Sequence, residues 1–328
     1  MSHNAGTLFS GLIFGSALTI SGVASPQVIR NQFKLSDYHM LVTLLSASAS
    51  SATVLLAYNS RAGDKRIPVR SVQRQTSWIT DYDSHVLGGA MVGLGMALTG
   101  ACPGTVLIQA AAGIGHSRII ALSSVVAGAL FARWKKSWGH IPNDQHQPPS
   151  VMTATGMSTN KAVLVYNSMV FAMILAVLVL ASRSRALVHP VVGGLLIGCG
   201  QLASLVLAGK AVGVSTAYEA TGKALLDIFG GRPVKKMNPS IVFAFALVAG
   251  AKMTMLCLPG VVEKLVPLKE QSIWAAVMGG FLLSFGSRLA GGCTSGHGIS
   301  GMAGMSLSSF ATVAAMFGAG LLTCIPFM

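Results

Sequence analysis

The sequence predicts an all-α polytopic membrane protein, with about nine transmembrane helices plus four short broken or re-entrant helices in two inverted repeats. Three observations lead there. Charged residues make up 10% of the chain and hydrophobic ones 52%, whereas a soluble domain carries roughly 25% charged residues. Apolar stretches near the ~20 residues that a bilayer core requires recur along the whole chain. Four of them are Gly-rich, and each is followed by a Gly/Ser/Pro break and a short second segment.

Five stretches read as uninterrupted spanning helices: 39–58, 118–134, 163–181, 239–258 and 308–326. The Gly-rich four are 8–23, 86–101, 189–207 and 272–291, with short segments near 25–33, 103–113, 210–219 and 297–305. From Gly11, Gly89, Gly194 and Gly280 the four align without gaps over sixteen residues. Position five reads Gly15, Gly93, Gly198, Ser284, and position fourteen reads Ala24, Cys102, Leu207, Cys293. The order broken unit, helix, broken unit, helix fills 8–134 and returns in 187–326. This divides the chain into a first repeat (1–138), a loop and linker helix (139–186) and a second repeat (187–328), all in one membrane domain. An odd number of crossings in the first half and linker inverts the second half. In such plans the substrate site lies where the breaks meet, so the four position-fourteen residues are expected to converge.

The net charge of +14 does not point to nucleic acid. The basic residues sit in short loops rather than in a stripe with interleaved aromatics. Arg61, Lys65, Arg66, Arg70, Arg74, Lys135, Lys136, Lys223, Arg232, Lys235 and Lys236 fall on one predicted face, against Arg30, Lys34, Arg118, Arg183, Arg185, Lys264 and Lys269 on the other, and this modest bias makes the first face cytoplasmic or matrix-facing by the positive-inside rule. The apolar stretch from Leu8 has no basic leader and cleavage site before it and is read as the first helix. The five cysteines show no zinc spacing or disulfide framework and are read as separate thiols. Cys199, Cys257 and Cys324 have the context of packing residues.

Two motifs carry chemistry. In Arg288–Gly298 (RLAGGCTSGHG), Gly291 and Gly292 let the backbone leave the helix just before Cys293. Thr294 or Ser295 is placed to cap the short segment that follows. A helix N-terminus offers unpaired N–H groups and a positive dipole end, which attract anions and favour thiolate character in a cysteine. In Thr99–Thr105 (TGACPGT), Gly100 breaks the helix, Cys102 falls at the cap, Pro103 suits the first helical turn, and Gly104 keeps the approach open. Each cysteine could instead be a small residue in a tight helix crossing. The first and third breaks lack a thiol and offer hydroxyls and amides, with Gln201 and Lys210 as lining groups. Lys210 reads equally well as an interfacial lysine. Arg288 lies in an apolar segment, where a charge is costly; it either pairs with Glu219 or draws an anion inward. His297 either assists proton transfer or is a hydrogen-bonded structural histidine.

At these motifs the chain resembles the YeeE/YedE family of sulfur-compound transporters. The matching stretches are RLAGGCTSGHGISG (288–301), GMALTGACPGT (95–105), GKAVGVSTAYE (209–219) and SGVASPQV (21–28). The resemblance implies nine spanning and four short helices in an hourglass shape. It implies that membrane cysteines pass thiosulfate along by hydrogen bonds between their thiols and its terminal sulfur. Cys102 and Cys293 match two family cysteines, and a third corresponds to Ala24 here, which leaves two thiols.

The expected function is therefore transport of a small sulfur-containing anion, thiosulfate first, without cofactor, metal or covalent turnover. The binding residues expected are Gly100, Cys102, Pro103, Gly104, Gln201, Arg288, Gly292, Cys293, Thr294, Ser295 and His297. The expected setting is the cell's inner membrane, with lipid as solvent and a soluble sulfur-carrier or sulfurtransferase protein as a candidate partner. The rival is a membrane thiol redox or sulfur-transfer enzyme in which Cys293 attacks and Cys102 resolves.

Overall fold

The computed structural model of the chain describes residues 3–63, 66–69, 82–137, 150–180, 188–232, 237–268 and 271–325. Several basic loop residues used above for orientation, among them Lys65, Arg70, Arg74, Lys235 and Lys236, lie outside these, as do residues 139–149 and 181–187. The described residues form fourteen α-helices and two π-helical turns, with a lone antiparallel bridge between Ser150 and Ser306.

In chain order the helices are α1 (His3–Ile20), α2 (Pro26–Phe33), α3 (His39–Arg61), α4 (Asp83–Thr99), α5 (Pro103–Ala112), α6 (Ser117–Ser137) and α7 (Val151–Thr155). They continue with α8 (Thr159–Leu180), α9 (Pro190–Ala203), α10 (Thr216–Phe229), α11 (Pro239–Cys257), α12 (Pro259–Glu263), α13 (Ile273–Leu289) and α14 (Leu307–Cys324). π-Helical turns follow α9 at Ser204–Ala208 and precede α14 at Ser295–Gly301. Seven helical spans are long and apolar enough to cross a membrane, and the apolar helices Asn4–Ile20 and Ile273–Leu289 are slightly shorter. The chain is an all-α polytopic membrane protein. Proline opens α2, α5, α9 and α11, where its missing N–H is not needed.

Glycine sets the packing. Backbone polar groups in lipid must be satisfied within the helices, and association then depends on close contact across small residues. A Cβ on Gly15 would overlap the carbonyl of Leu247 in α11, and one on Gly93 the carbonyl of Met316 in α14. The four glycines that open the aligned pattern behave alike. Gly11 lies on Phe243 O, Gly89 on Thr312 O, Gly194 on Thr43 O and Gly280 on Ile120 O. Thus α1 packs on α11 as α9 packs on α3, and α4 packs on α14 as α13 packs on α6. The broken helices also meet each other antiparallel. Gly88 faces Gly286 and Ala290 while Gly95 faces Gly279 and Leu283, and Gly193 faces Ser21 while Gly200 faces Phe14.

The third break falls after the stretch 189–207, as the sequence reading has it, but the residues aligned with the other breaks do not lie in it. The run after Gln201 stays helical through the π-turn, and the chain leaves it only at Gly209, with φ +63°. Leu207 consequently lies beside Gly6 near the start of α1, away from Ala24, Cys102 and Cys293. The short segment expected at 210–219 is shifted to α10, from Thr216 to Phe229, and Lys210 is exposed. The segment expected at 297–305 is the π-turn Ser295–Gly301.

Candidate functional site

Cys102 is the N-cap residue of α5, in extended conformation at φ −109°, ψ 163°. The chain reaches it through Gly100, whose φ of +63° is the left-handed conformation that glycine adopts without strain. A Cβ there would also press on the carbonyl of Pro26. Thr105 locks the cap: its hydroxyl accepts from the Cys102 amide at 2.8 Å and lies 3.4 Å from the Cys102 Sγ. The amides of Gly104 and Thr105 are directed at the same sulfur. Gly104 leaves space between Cys102 Sγ, Val214 and Leu18.

Cys293 follows the buried Gly292 and is itself fully buried. Its sulfur lies 3.2 Å from the Ser295 hydroxyl. The amides of Gly296, Val214 and Ser215 are directed at it from two different segments. The Ser295 hydroxyl thus serves the thiol rather than capping a helix, and Thr294, already helical at φ −51°, ψ −44°, makes no side-chain cap. Its hydroxyl points to the Met96 sulfur at 3.7 Å. Val214 joins the two sites, approaching Gly104 on one side and offering its amide to Cys293 on the other. Each thiol is free, and each sits where backbone N–H groups converge.

A small cavity of about 30 Å³ opens beside Cys102, lined by Thr43, Gly104, Thr105, Thr294 and Ser295 with apolar walls from Leu18, Val23, Met40, Leu44 and Ile299. That is room for a water molecule or two. A larger recess of about 440 Å³ lies at the far ends of α4 and α14, lined by Arg30, Gln271, Ser272, Thr323 and Cys324.

Of the remaining expected residues, Gln201, His297 and Pro103 are buried and Arg288 is partly buried, and each has a polar partner, although the Gln201 Nε2 has none among the described residues. Gln201 accepts from the Val212 amide at 3.1 Å and the Ser300 hydroxyl at 3.2 Å. His297 donates from Nε2 to Ala290 O at 3.0 Å and pairs through Nδ1 with Ser309 at 2.9 Å, edge-on to His85. In the neutral ring this fixes the tautomer. Arg288 pairs with Glu219 on α10, with side chains 12% and 22% exposed, so a structural partner holds its charge. Pro103 is the first residue of α5, and its carbonyl accepts from the Tyr218 hydroxyl at 2.5 Å. Three contributors were missed by sequence reasoning: Thr43, Tyr218 and Gln109. Gln109 ties two breaks together by donating to both Ala24 O and Gly100 O at 2.9 Å. A buried glutamine in an apolar short helix was the available signal.

Removing Arg288 tests its role. Arg288→Leu leaves Glu219 without its partner, and unpairing a buried charge costs about 3–5 kcal/mol, less here because both groups keep some exposure. The thermal midpoint in detergent should drop clearly and recover in Arg288→Leu/Glu219→Leu. A stable Arg288→Lys protein that no longer transports would instead place the guanidinium on the anion.

An all-helical membrane protein whose discontinuous helices bring free thiols and converging amides into its interior has the build of a transporter of small anions. The comparisons with known proteins specify the kind. The profile of a family described as sulphur transport matches residues 20–322, and the chain belongs to that family. It is similar to two proteins of Xylella fastidiosa, from strains 9a5c and Temecula1, each named a probable transporter. The identity is 30% over 136 residues, covering 41% of this chain and 90% of each relative.

Proposed function

We propose that this membrane transporter carries thiosulfate or a closely similar sulfur-containing anion, handed through the interior by hydrogen bonds from the thiols of Cys102 and Cys293. The observation that supports this most is the pair of free, buried thiols in different halves of the chain, each set among backbone amides. The amides compensate negative charge where water is excluded. The thiols offer weak donors matched to a polarisable terminal sulfur, and weak contacts suit passage because a site that holds too tightly cannot release. Transport of this kind uses no cofactor and leaves both cysteines unmodified.

The two halves, 1–138 and 187–328, are on this reading inverted repeats. The supports are the exchanged pairings, α1 on α11 against α9 on α3 and α4 on α14 against α13 on α6. A further support is that relatives aligned over 41% of this chain are themselves 90% covered. The basic loops would face the cytoplasm from the cell's inner membrane, where a soluble sulfurtransferase could receive the cargo.

Uptake of radiolabelled thiosulfate into proteoliposomes tests the reading. Uptake should saturate and be competed by unlabelled thiosulfate, and intact-mass spectrometry should find the protein unmodified afterwards. A persulfide or mixed disulfide on Cys293 that turns over with substrate would establish the sulfur-transfer enzyme instead. Absence of uptake above empty liposomes would exclude this cargo.

A further inference from the structure

We infer that the protein sets the charge sign of its cargo by covering the carbonyl oxygens at its helix breaks with side-chain donors, and that Gln109 is the main specificity-determining residue in this role. The inference rests on the reading that the cargo is an anion.

A broken helix leaves two kinds of backbone group without helical partners. Open amides attract anions, and open carbonyls attract cations. The sign that such a site accepts depends on which set stays open. In this chain the amides are gathered at the thiols. Those of Gly104 and Thr105 are directed at Cys102, and those of Gly296, Val214 and Ser215 at Cys293. Carbonyls are covered at each of the four breaks. In the first two, His39 donates from Nε2 to Ser21 O at 2.7 Å, and Gln109 donates to Ala24 O and Gly100 O at 2.9 Å. In the third and fourth, Ser300 donates to Val212 O at 2.8 Å and His297 to Ala290 O at 3.0 Å. All four donor residues are buried, so water does not do this work in their place.

Gln109 differs from the other three. One amide nitrogen serves two breaks and spends both of its protons on them. Those breaks also touch, since a Cβ on Gly100 would lie 2.5 Å from Pro26 O. Gln109 stands on α5, the helix that Cys102 heads, and Gly100 lies just before that thiol in the chain. Without Gln109, two carbonyl dipoles would stand unpaired together in a water-excluded place. There they repel a negative charge more strongly than they would in solvent.

Gln109→Leu removes the donor at similar volume. Gln109→Glu keeps the shape, and its ability to donate depends on protonation. In proteoliposomes, Gln109→Leu should raise the KM for thiosulfate roughly tenfold or more, the size of one charge–dipole contact. Gln109→Glu should be most defective at high pH, where a carboxylate donates nothing and adds a negative charge. It should recover part of the wild-type KM as the pH falls, because the acid form donates one hydrogen bond. Each KM is compared with wild type at the same pH. A packing role alone predicts the same ratio at every pH, since glutamate and glutamine have one shape, and that result overturns the proposal. A wild-type KM in Gln109→Leu, with uptake still dependent on Cys293, overturns it too and leaves the transport reading standing. Should the leucine variant fail to fold, the pH series of Gln109→Glu decides by itself. No thiosulfate uptake by the wild type removes the transport reading and this proposal together.

Discussion

Replacing Cys293 by alanine is expected to cut thiosulfate uptake by roughly ten- to a hundredfold while the protein stays folded. The thiol is fully buried, but alanine fills most of its volume, so the packing loss falls well short of the about 2–5 kcal/mol seen for large-to-small core changes. On the proposed function, alanine removes a donor to a desolvated anion, worth about 1.5–3 kcal/mol, and at the transport barrier that is the quoted range in rate. Cys293→Ser discriminates between mechanisms. Its oxygen is smaller and harder but still donates, so partial uptake supports hydrogen bonding. Complete loss in serine, with a trapped persulfide in wild type, would point to covalent transfer. Wild-type uptake in both variants would leave Cys293 a packing residue. The readouts are initial uptake rate and the thermal midpoint of the purified protein.

Gly93→Val is expected to abolish accumulation of folded protein. The Cβ would occupy the position of the Met316 carbonyl oxygen, and that oxygen belongs to the α14 backbone rather than to a side chain free to rotate away. Relief requires α4 and α14 to separate, which removes the close contact that holds membrane helices together. Overpacking alone costs about 1–3 kcal/mol, and the lost interface adds to it. Gly318 in the same α14 supplies the control, since a Cβ there meets nothing within 4 Å. Gly318→Ala should express and melt like wild type. Fluorescence-detected size exclusion in detergent reads both, and a monodisperse Gly93→Val peak at wild-type yield would contradict the packing argument.

The existence and order of the elements were legible in the sequence because lipid permits few alternatives: long apolar runs must be helices, and Gly/Ser/Pro clusters inside them must break. Cys102 as a cap followed by Pro103 was readable for the same reason, and so was a partner for Arg288, because a charge in an apolar segment demands one. The register of the third break against the other three was not legible. The residues SLVLA carry no helix-stopping signal, so the helix continues through a π-turn to Gly209, and alignment by glycine position misplaced Leu207. Thr43 was equally hidden. It is one of several hydroxyls on α3, and only the three-dimensional arrangement distinguishes the one that lines the cavity from those that contact neighbouring helices. Ser295 was found at the right place with the wrong task, since sequence spacing cannot separate a cap from a hydroxyl turned back to the preceding thiol.

The narrowness of the cavity beside Cys102 bears on the energetics of the membrane around it. A permanently open path wide enough for a dianion would also pass chloride and discharge the electrical potential, which stores about 2.3 kcal/mol per elementary charge for each 100 mV. The cavity of about 30 Å³ beside Cys102, between apolar walls, has room for a water or two but not for hydrated ions. On the proposed function, liposomes containing the resting protein should hold an imposed potential until the cargo is added.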